Sequence, residues 1–162
     1  LFIAGTETTA LTLSWAVYFL AVNPDMVARC RKEALTAAPE TVGMASTNEE
    51  LAPLEFCRAV FQETLRLRSA SAFQFFNCLE STSMGSGMVL EKGTGVITLI
   101  RYTSLSEDAF TRAGDFVPER WIDAEREEAL LGEGAKDSGG SVRHDEKAFL
   151  GFGAGPRVCP GQ

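Results

Sequence analysis

The chain has 162 residues, a net charge of −7 and four cysteines. That length suffices for one core of ordinary size, and the acidic balance, with no basic run anywhere, excludes nucleic acid as a partner. Cys30, Cys57, Cys78 and Cys159 form no C-x-x-C pair and no dense framework, which argues against a zinc knuckle or a secreted stapled scaffold and for a reducing compartment.

Leu1 to Val22 is apolar on nearly every face and predicts a buried helix crossing the middle of a larger protein. Its uncharged part, Thr8 to Val22, falls short of the ~20 residues that a membrane span requires, and Glu7 interrupts any extension. Asn23 is placed to cap a second helix, with Pro24 at its first position and Asp25 in its first turn. Met26, Val27, Cys30, Ala34 and Ala38 recur at helical spacing against a polar face of Arg29, Lys32 and Glu33, so this helix lies on the surface and ends before Pro39. A loop over Thr41 to Asn48 follows, and Thr47-x-x-Glu50 offers a capping box for a short turn ended by Pro53.

Leu54 to Arg68 predicts a third helix. From Phe73 to Tyr102, Phe and β-branched clusters alternate with turn-rich Ser81 to Gly87 and Glu91-Lys92-Gly93, which predicts a few short strands, the last ending at Leu99 to Arg101. Residues 103 to 148 read as helical turns and irregular chain. Within them Gly132 to Lys147 is an exposed insertion carrying the only histidine, His144. No internal repeat is present. The fold class is mainly α with a small β portion. Because the chain opens at Leu1 without an initiator Met and stops at Gln162 just past a cysteine loop, it reads as a fragment whose apolar faces are covered by further segments.

Three stretches carry chemistry. In Ala4-Gly5-Thr6-Glu7-Thr8-Thr9, Gly5 weakens a helix by about 1 kcal/mol relative to alanine, and threonine hydroxyls that bond back to preceding carbonyls bend it. A bent or locally opened helix there, with Glu7 and Thr8 in proton-relay roles, competes with a buried helix whose hydroxyls are satisfied locally. Glu63 and Arg66, three apart, share a helix face, a common surface pairing that means little by itself. Near the C-terminal end, Phe152-Gly-Ala-Gly155-Pro-Arg157-Val-Cys159-Pro-Gly161 sets one cysteine in a glycine-studded loop. Glycines admit positive φ and close approach to a flat macrocycle, and main-chain N–H groups aimed at the sulfur spread its charge. A dinucleotide fingerprint starting at Gly151-Phe-Gly153 fails, because the third glycine position holds Pro156 and no strand–turn–helix unit surrounds it. An ordinary buried thiol is the other alternative for Cys159.

The loop, with Phe152, Gly155, Arg157, Cys159 and Gly161 at spacings of three, two, two and two, resembles the cysteine loop of the cytochrome P-450 family. Gln62-Glu63-Thr64-Leu65-Arg66 resembles that family's E-x-x-R motif. Phe116-Val-Pro118-Glu119-Arg120-Trp121 resembles its P-E-R-F segment with Trp in the final place, and residues 4 to 9 resemble its oxygen-activation motif.

The resemblance implies a partial cytochrome P-450 fold: residues 1–162 as the C-terminal portion of a single domain, from distal helix to cysteine loop, incomplete at both ends. It implies haem b with Cys159 as axial iron ligand, Arg157 pairing a propionate, and Phe152, Gly155 and Gly161 shaping the cofactor loop. Glu7 and Thr8 become the catalytic proton donors, and Glu63, Arg66 and Arg120 a structural charge network behind the haem. The activity implied is monooxygenation of a small apolar organic substrate, with electrons from an NADPH-dependent flavin reductase or a ferredoxin. The location implied is the cytosolic face of the endoplasmic reticulum membrane.

One departure stands out. Where the family often has a basic residue for a propionate, this chain reads Gln74-Phe75-Phe76-Asn77, with Arg101 the available substitute. Phe73, Phe75 and Phe76 approach substrate space by analogy, or are plain core. Two alternatives to the monooxygenase remain: a haem-thiolate isomerase or dehydratase, against which the intact Glu7-Thr8 pair argues, and a non-catalytic truncated scaffold.

Overall fold

The computed structural model describes residues 2–37, 47–122 and 145–162. The apolar opening run forms helix α1 (Phe2–Val22), and the Asn23-Pro24 punctuation ends it, turning the chain by 112° into α2 (Pro24–Ala37). A short turn α3 (Asn48–Leu51) leads to α4 (Glu55–Leu67). Strands β1 (Gln74–Asn77), β2 (Thr82–Ser83), β3 (Val89–Leu90) and β4 (Gly95–Thr98) come next, followed by α5 (Ile100–Ser104). Beyond α5 the described chain is irregular apart from 3-10 turns at Pro118–Trp121, Glu146–Ala148 and Gly155–Arg157. The fold is mainly α with a small β portion, as the sequence predicts.

The β portion is two antiparallel pairs. β1 lies against β4 with Gln74 opposite Thr98 and Asn77 opposite Gly95, and β2 pairs with β3. All four cover too little apolar surface to hold a sheet core. Accordingly Phe73, Phe75 and Phe76 are exposed within this chain.

α4 is the hub. Phe56, Ala59, Val60, Leu65 and Leu67 are buried along it, and α1, α2, α5 and the Pro118–Trp121 turn all pack against it. Phe110, Ile100 and Val117 complete the core, each contributing about 1.5–3 kcal/mol when fully buried.

Within this chain α1 presents only Thr12 and Ala16 to the interior, with Trp15, Phe19 and Leu20 half-covered, because α2 and α4 cover a single stripe of it; the expectation that further segments cover its other faces is untouched. Phe19 stacks on Phe116 at 4.3 Å, whereas Phe2, Ile3, Leu13, Val17 and Tyr18 face outward. Among the described residues, no single helix is long and apolar enough to cross a membrane. Three other expectations are corrected. Asn23 does not cap α2 through its side chain. Its amide donates backwards to the Phe19 carbonyl at 2.8 Å and so closes the end of α1.

Glu33 is buried rather than solvated. Its two oxygens accept the Phe56 and Cys57 N–H groups at 2.7 and 2.9 Å, capping α4 from another helix where the local cap position, Leu54, has no side chain able to do so. Arg29, assigned to the same polar face, instead pairs with Glu119 and lies 3.7 Å over the Phe56 ring. Finally, Leu99 to Arg101 does not end a strand, since β4 stops at Thr98 and α5 starts at Ile100.

The loop expected over Thr41 to Asn48 lies largely outside the described residues, as do the Glu50 side chain of the proposed capping box and most of the Gly132 to Lys147 insertion with His144.

Glu33→Ala exposes two buried N–H groups at the start of α4 and is expected to lower stability by about 1–3 kcal/mol. Lys32→Ala, one residue away and exposed, should stay within about 0.5 kcal/mol. Urea midpoints of the two variants check this.

Candidate functional site

The charge network is built on α4. Glu63 and Arg66 are fully buried and Arg120 nearly so. The Glu63 carboxylate receives the Arg66 fork at 2.8 Å on each oxygen, Nη2 to Oε1 and Nε to Oε2. Arg120 Nε bridges both oxygens at 3.1 Å. Two further donors complete the shell: the Val117 N–H on Oε1 and the Trp121 indole N–H on Oε2, each at 2.9 Å.

Every N–H of Arg66 is used. Beyond Glu63, Nη1 donates to the carbonyls of Ser104 and Ala113 at 2.7 Å, and Nη2 donates to that of Asp115 at 2.9 Å. Arg120 donates to the carbonyls of Thr111 and Arg112. Burial pulls the Arg120 pKa below the usual arginine value, opposed by the neighbouring Glu63 carboxylate. Two cations face one anion here, and main-chain carbonyl dipoles supply the remaining negative potential.

The segment offering those carbonyls is bent to do so. Arg112 sits at φ 56°, a left-handed conformation costing a non-glycine residue about 1–2 kcal/mol. The Glu107 carboxylate holds it there by accepting the Arg112 and Ala113 N–H groups at 3.0 and 2.8 Å.

The cysteine loop lies beyond this network and is open. Gly153 and Gly155 take φ +75° and +72°, where a side chain is strained. The loop closes on itself through the Cys159 N–H to the Phe152 carbonyl at 2.8 Å. Cys159 is exposed within this chain, and the Gly161 N–H approaches its Sγ at 3.4 Å. Phe152 is half-buried under the loop. Arg157 is exposed and makes no hydrogen bond or ion pair among the described residues. The donor set suits an anionic macrocycle with a thiophilic metal: an exposed sulfur, and two residues before it a guanidinium that makes no ion pair among the described residues.

The structure does not bring Glu7 and Thr8 to this loop through any described contact. Both are exposed on α1, which is helical from Phe2 to Val22, so no opened turn is present among the described residues. Thr6, Thr8 and Thr12 each donate to the carbonyl four residues back, at 2.8, 2.6 and 2.8 Å, so these hydroxyls are satisfied locally. Arg101 is also exposed. It reaches back to the Leu67 carbonyl at 3.4 Å and lines an open cavity of about 610 Å³ with Phe73, Leu99 and Tyr102.

Sequence reasoning missed Trp121, Val117 and Glu33. A main-chain donor has no sequence signature. The substitution of Trp for Phe at the end of Pro118-Glu-Arg-Trp121 is the one signal that a further donor was available. It missed also that Cys30 and Cys57 meet between α2 and α4. Hydrogen bonding between the two thiols lowers the Cys30 pKa and, with burial, raises that of Cys57.

A family model described as Cytochrome P450 matches residues 1–162. The chain belongs to the cytochrome P450 family. It is 32% identical over 163 residues to the steroid 21-hydroxylase of Canis lupus, covering 100% of this chain and 29% of that protein. It is 29% identical to geraniol 8-hydroxylase of Catharanthus roseus, covering 99% and 29%, and 32% identical to putative cytochrome P450 CYP13A3 of Caenorhabditis elegans, covering 98% and 27%. This P450 chain therefore spans under a third of the length of these relatives. A monooxygenase family role and a haem-iron cofactor follow at family level.

The Glu63 shell sets a stability expectation for this P450 segment. Glu63→Gln leaves two buried guanidinium groups without a counter-charge and should cost about 3–5 kcal/mol. Arg66→Lys, with three N–H donors for five occupied acceptor positions, should cost nearly as much. Denaturant unfolding of both variants checks this; a loss below about 1 kcal/mol for Glu63→Gln would contradict the shell's role.

Proposed function

We propose that the protein carrying this chain is a haem-thiolate monooxygenase in which Cys159 is the axial ligand. The single observation supporting this most directly is the Cys159 loop: an exposed sulfur, a Gly161 N–H at 3.4 Å from Sγ, and two left-handed glycines on the approach. When bound, haem b supplies the electron transfer and dioxygen chemistry that no side chain offers.

The chain's own residues divide the remaining tasks. Cys159 would hold the haem iron through its thiolate, with the Gly161 N–H drawing off part of the sulfur's charge. Arg157 would pair with a propionate. Phe152 fixes the loop through its carbonyl and, with Gly155 and Gly161, leaves room for the macrocycle. Glu7 and Thr8 are the proton-delivery pair that the family resemblance assigns. The Thr8 hydroxyl donates to the Ala4 carbonyl at 2.6 Å and would have to release that bond before passing a proton on. Glu63, Arg66 and Arg120 serve as the structural base of the loop.

The substrate class we assign is a small apolar organic molecule. Hydroxylase names among the relatives support oxygen insertion over the isomerase alternative. Electrons from an NADPH-dependent flavin reductase or a ferredoxin, and residence on the cytosolic face of the endoplasmic reticulum, rest on the family resemblance. The whole activity belongs to the full-length protein.

A carbon monoxide difference spectrum of the reduced full-length protein tests the assignment. The expected result is a strongly red-shifted thiolate-type Soret band, lost in Cys159→Ala. Haem bound with an ordinary Soret band in the wild type, or no haem at all, would overturn the monooxygenase reading in favour of a non-catalytic scaffold. Glu63→Ala and Arg66→Ala should abolish haem incorporation; normal haem content in either would remove the network from the function.

A further inference from the structure

The buried network and the cysteine loop are joined by one aromatic bridge. The Trp121 indole is pinned at its nitrogen by Glu63 Oε2 at 2.9 Å. Its ring meets that of Phe149 edge-on, with centroids 4.8 Å apart and planes at 63°. Phe149 in turn stands over the first glycine of the loop: a Cβ on Gly151 would lie 2.7 Å from the Phe149 ring and 3.4 Å from Cβ of Leu65, two residues beyond Glu63 on α4. Gly151 is thus enclosed between the bridge and the hub helix, with no room for a side chain.

Beyond Gly151 two main-chain hydrogen bonds tie the loop to this point. Gly153 N–H bonds the Leu150 carbonyl, and the Cys159 N–H bonds that of Phe152. The Cys159 N–H is thus anchored directly to residue 152, within the segment that Phe149 seats.

Resting on the haem-thiolate reading, we propose that Trp121 is a positioning residue for the iron ligand: held by Glu63 and seated against Phe149, it sets where the cysteine loop starts and so where Cys159 Sγ stands. A phenylalanine at 121 supplies the ring but not the N–H that fixes it. The second oxygen of Glu63 then keeps two charged donors and loses its neutral one, and the ring is free to slide over Phe149.

The test is made on the full-length, haem-loaded protein with Trp121→Phe, Phe149→Leu and the double variant. The readout is the rate at which the carbon monoxide complex converts from the thiolate-type Soret band to the ordinary one, measured well below each variant's melting temperature. Losing one fixed contact of this kind should raise that rate about fivefold in each single variant. Because both act through the same bridge, the double variant should be no faster than the faster single one.

A purely structural Trp121 would lower the melting temperature and leave the rate unchanged, which would overturn the proposal. So would a rate in Phe149→Leu equal to wild type, or multiplicative effects in the double variant, which mean independent routes. Should Trp121→Phe fail to fold, Phe149→Leu alone decides, since it leaves the Glu63 shell intact. Absence of the thiolate band in the wild type is a different failure: it removes the haem reading itself and the positioning role with it.

Discussion

One carboxylate with no solvent contact organises this molecule. An isolated buried charge is so costly that a chain burying Glu63 must deliver several donors to it at once. Those donors come from two places in the sequence: Arg66 on α4 itself, and Val117, Arg120 and Trp121 from a turn more than fifty residues away. Only one mutual arrangement of helix and turn satisfies them all. The same requirement explains why the hub helix carries charged and apolar residues on one buried surface.

The guanidinium groups do for residues 104–115 what strands or helices do elsewhere. That segment has little regular structure, and its inward-facing carbonyls would lack partners. Arg66 and Arg120 take up those of Ser104, Thr111, Arg112, Ala113 and Asp115. Lysine could not, because its three donors diverge from one point rather than lying in a planar fork. The left-handed turn at Arg112, held by Glu107, is the local strain accepted for this coverage. The Arg29–Glu119 pair then ties the Pro118–Trp121 turn to α2, so that α2, α4, α5 and the irregular chain share one polar framework.

Against that rigid base the cysteine loop is shallow and exposed. The contrast suits a ligand loop: the support must hold the sulfur to a fraction of an ångström, while the sulfur's own side must stay accessible. α1 shows a similar division, with a narrow packed stripe at Thr12, Ala16 and Phe19 and broad apolar faces that no described element covers.

The family was legible in the sequence, because the cysteine loop and the short motifs around Glu63 and Arg120 depend on residue types at close, fixed spacing. Local structure was legible for the same reason: the helix spanning Glu55 to Leu67 follows from its periodicity, and the left-handed glycines from the need for a tight loop around Cys159. What only the tertiary structure decided were the partners brought in from far along the chain. Glu33 looked solvent-facing by helical period, yet it caps α4. Asn23 looked like a start signal, yet its amide closes the preceding helix. Trp121 looked like a variant letter in a motif until its N–H was found on Glu63. Periodicity and capping rules register the neighbours three or four residues away; donors and acceptors joined across fifty residues leave no such trace, because the fold and not the spacing puts them within 3 Å.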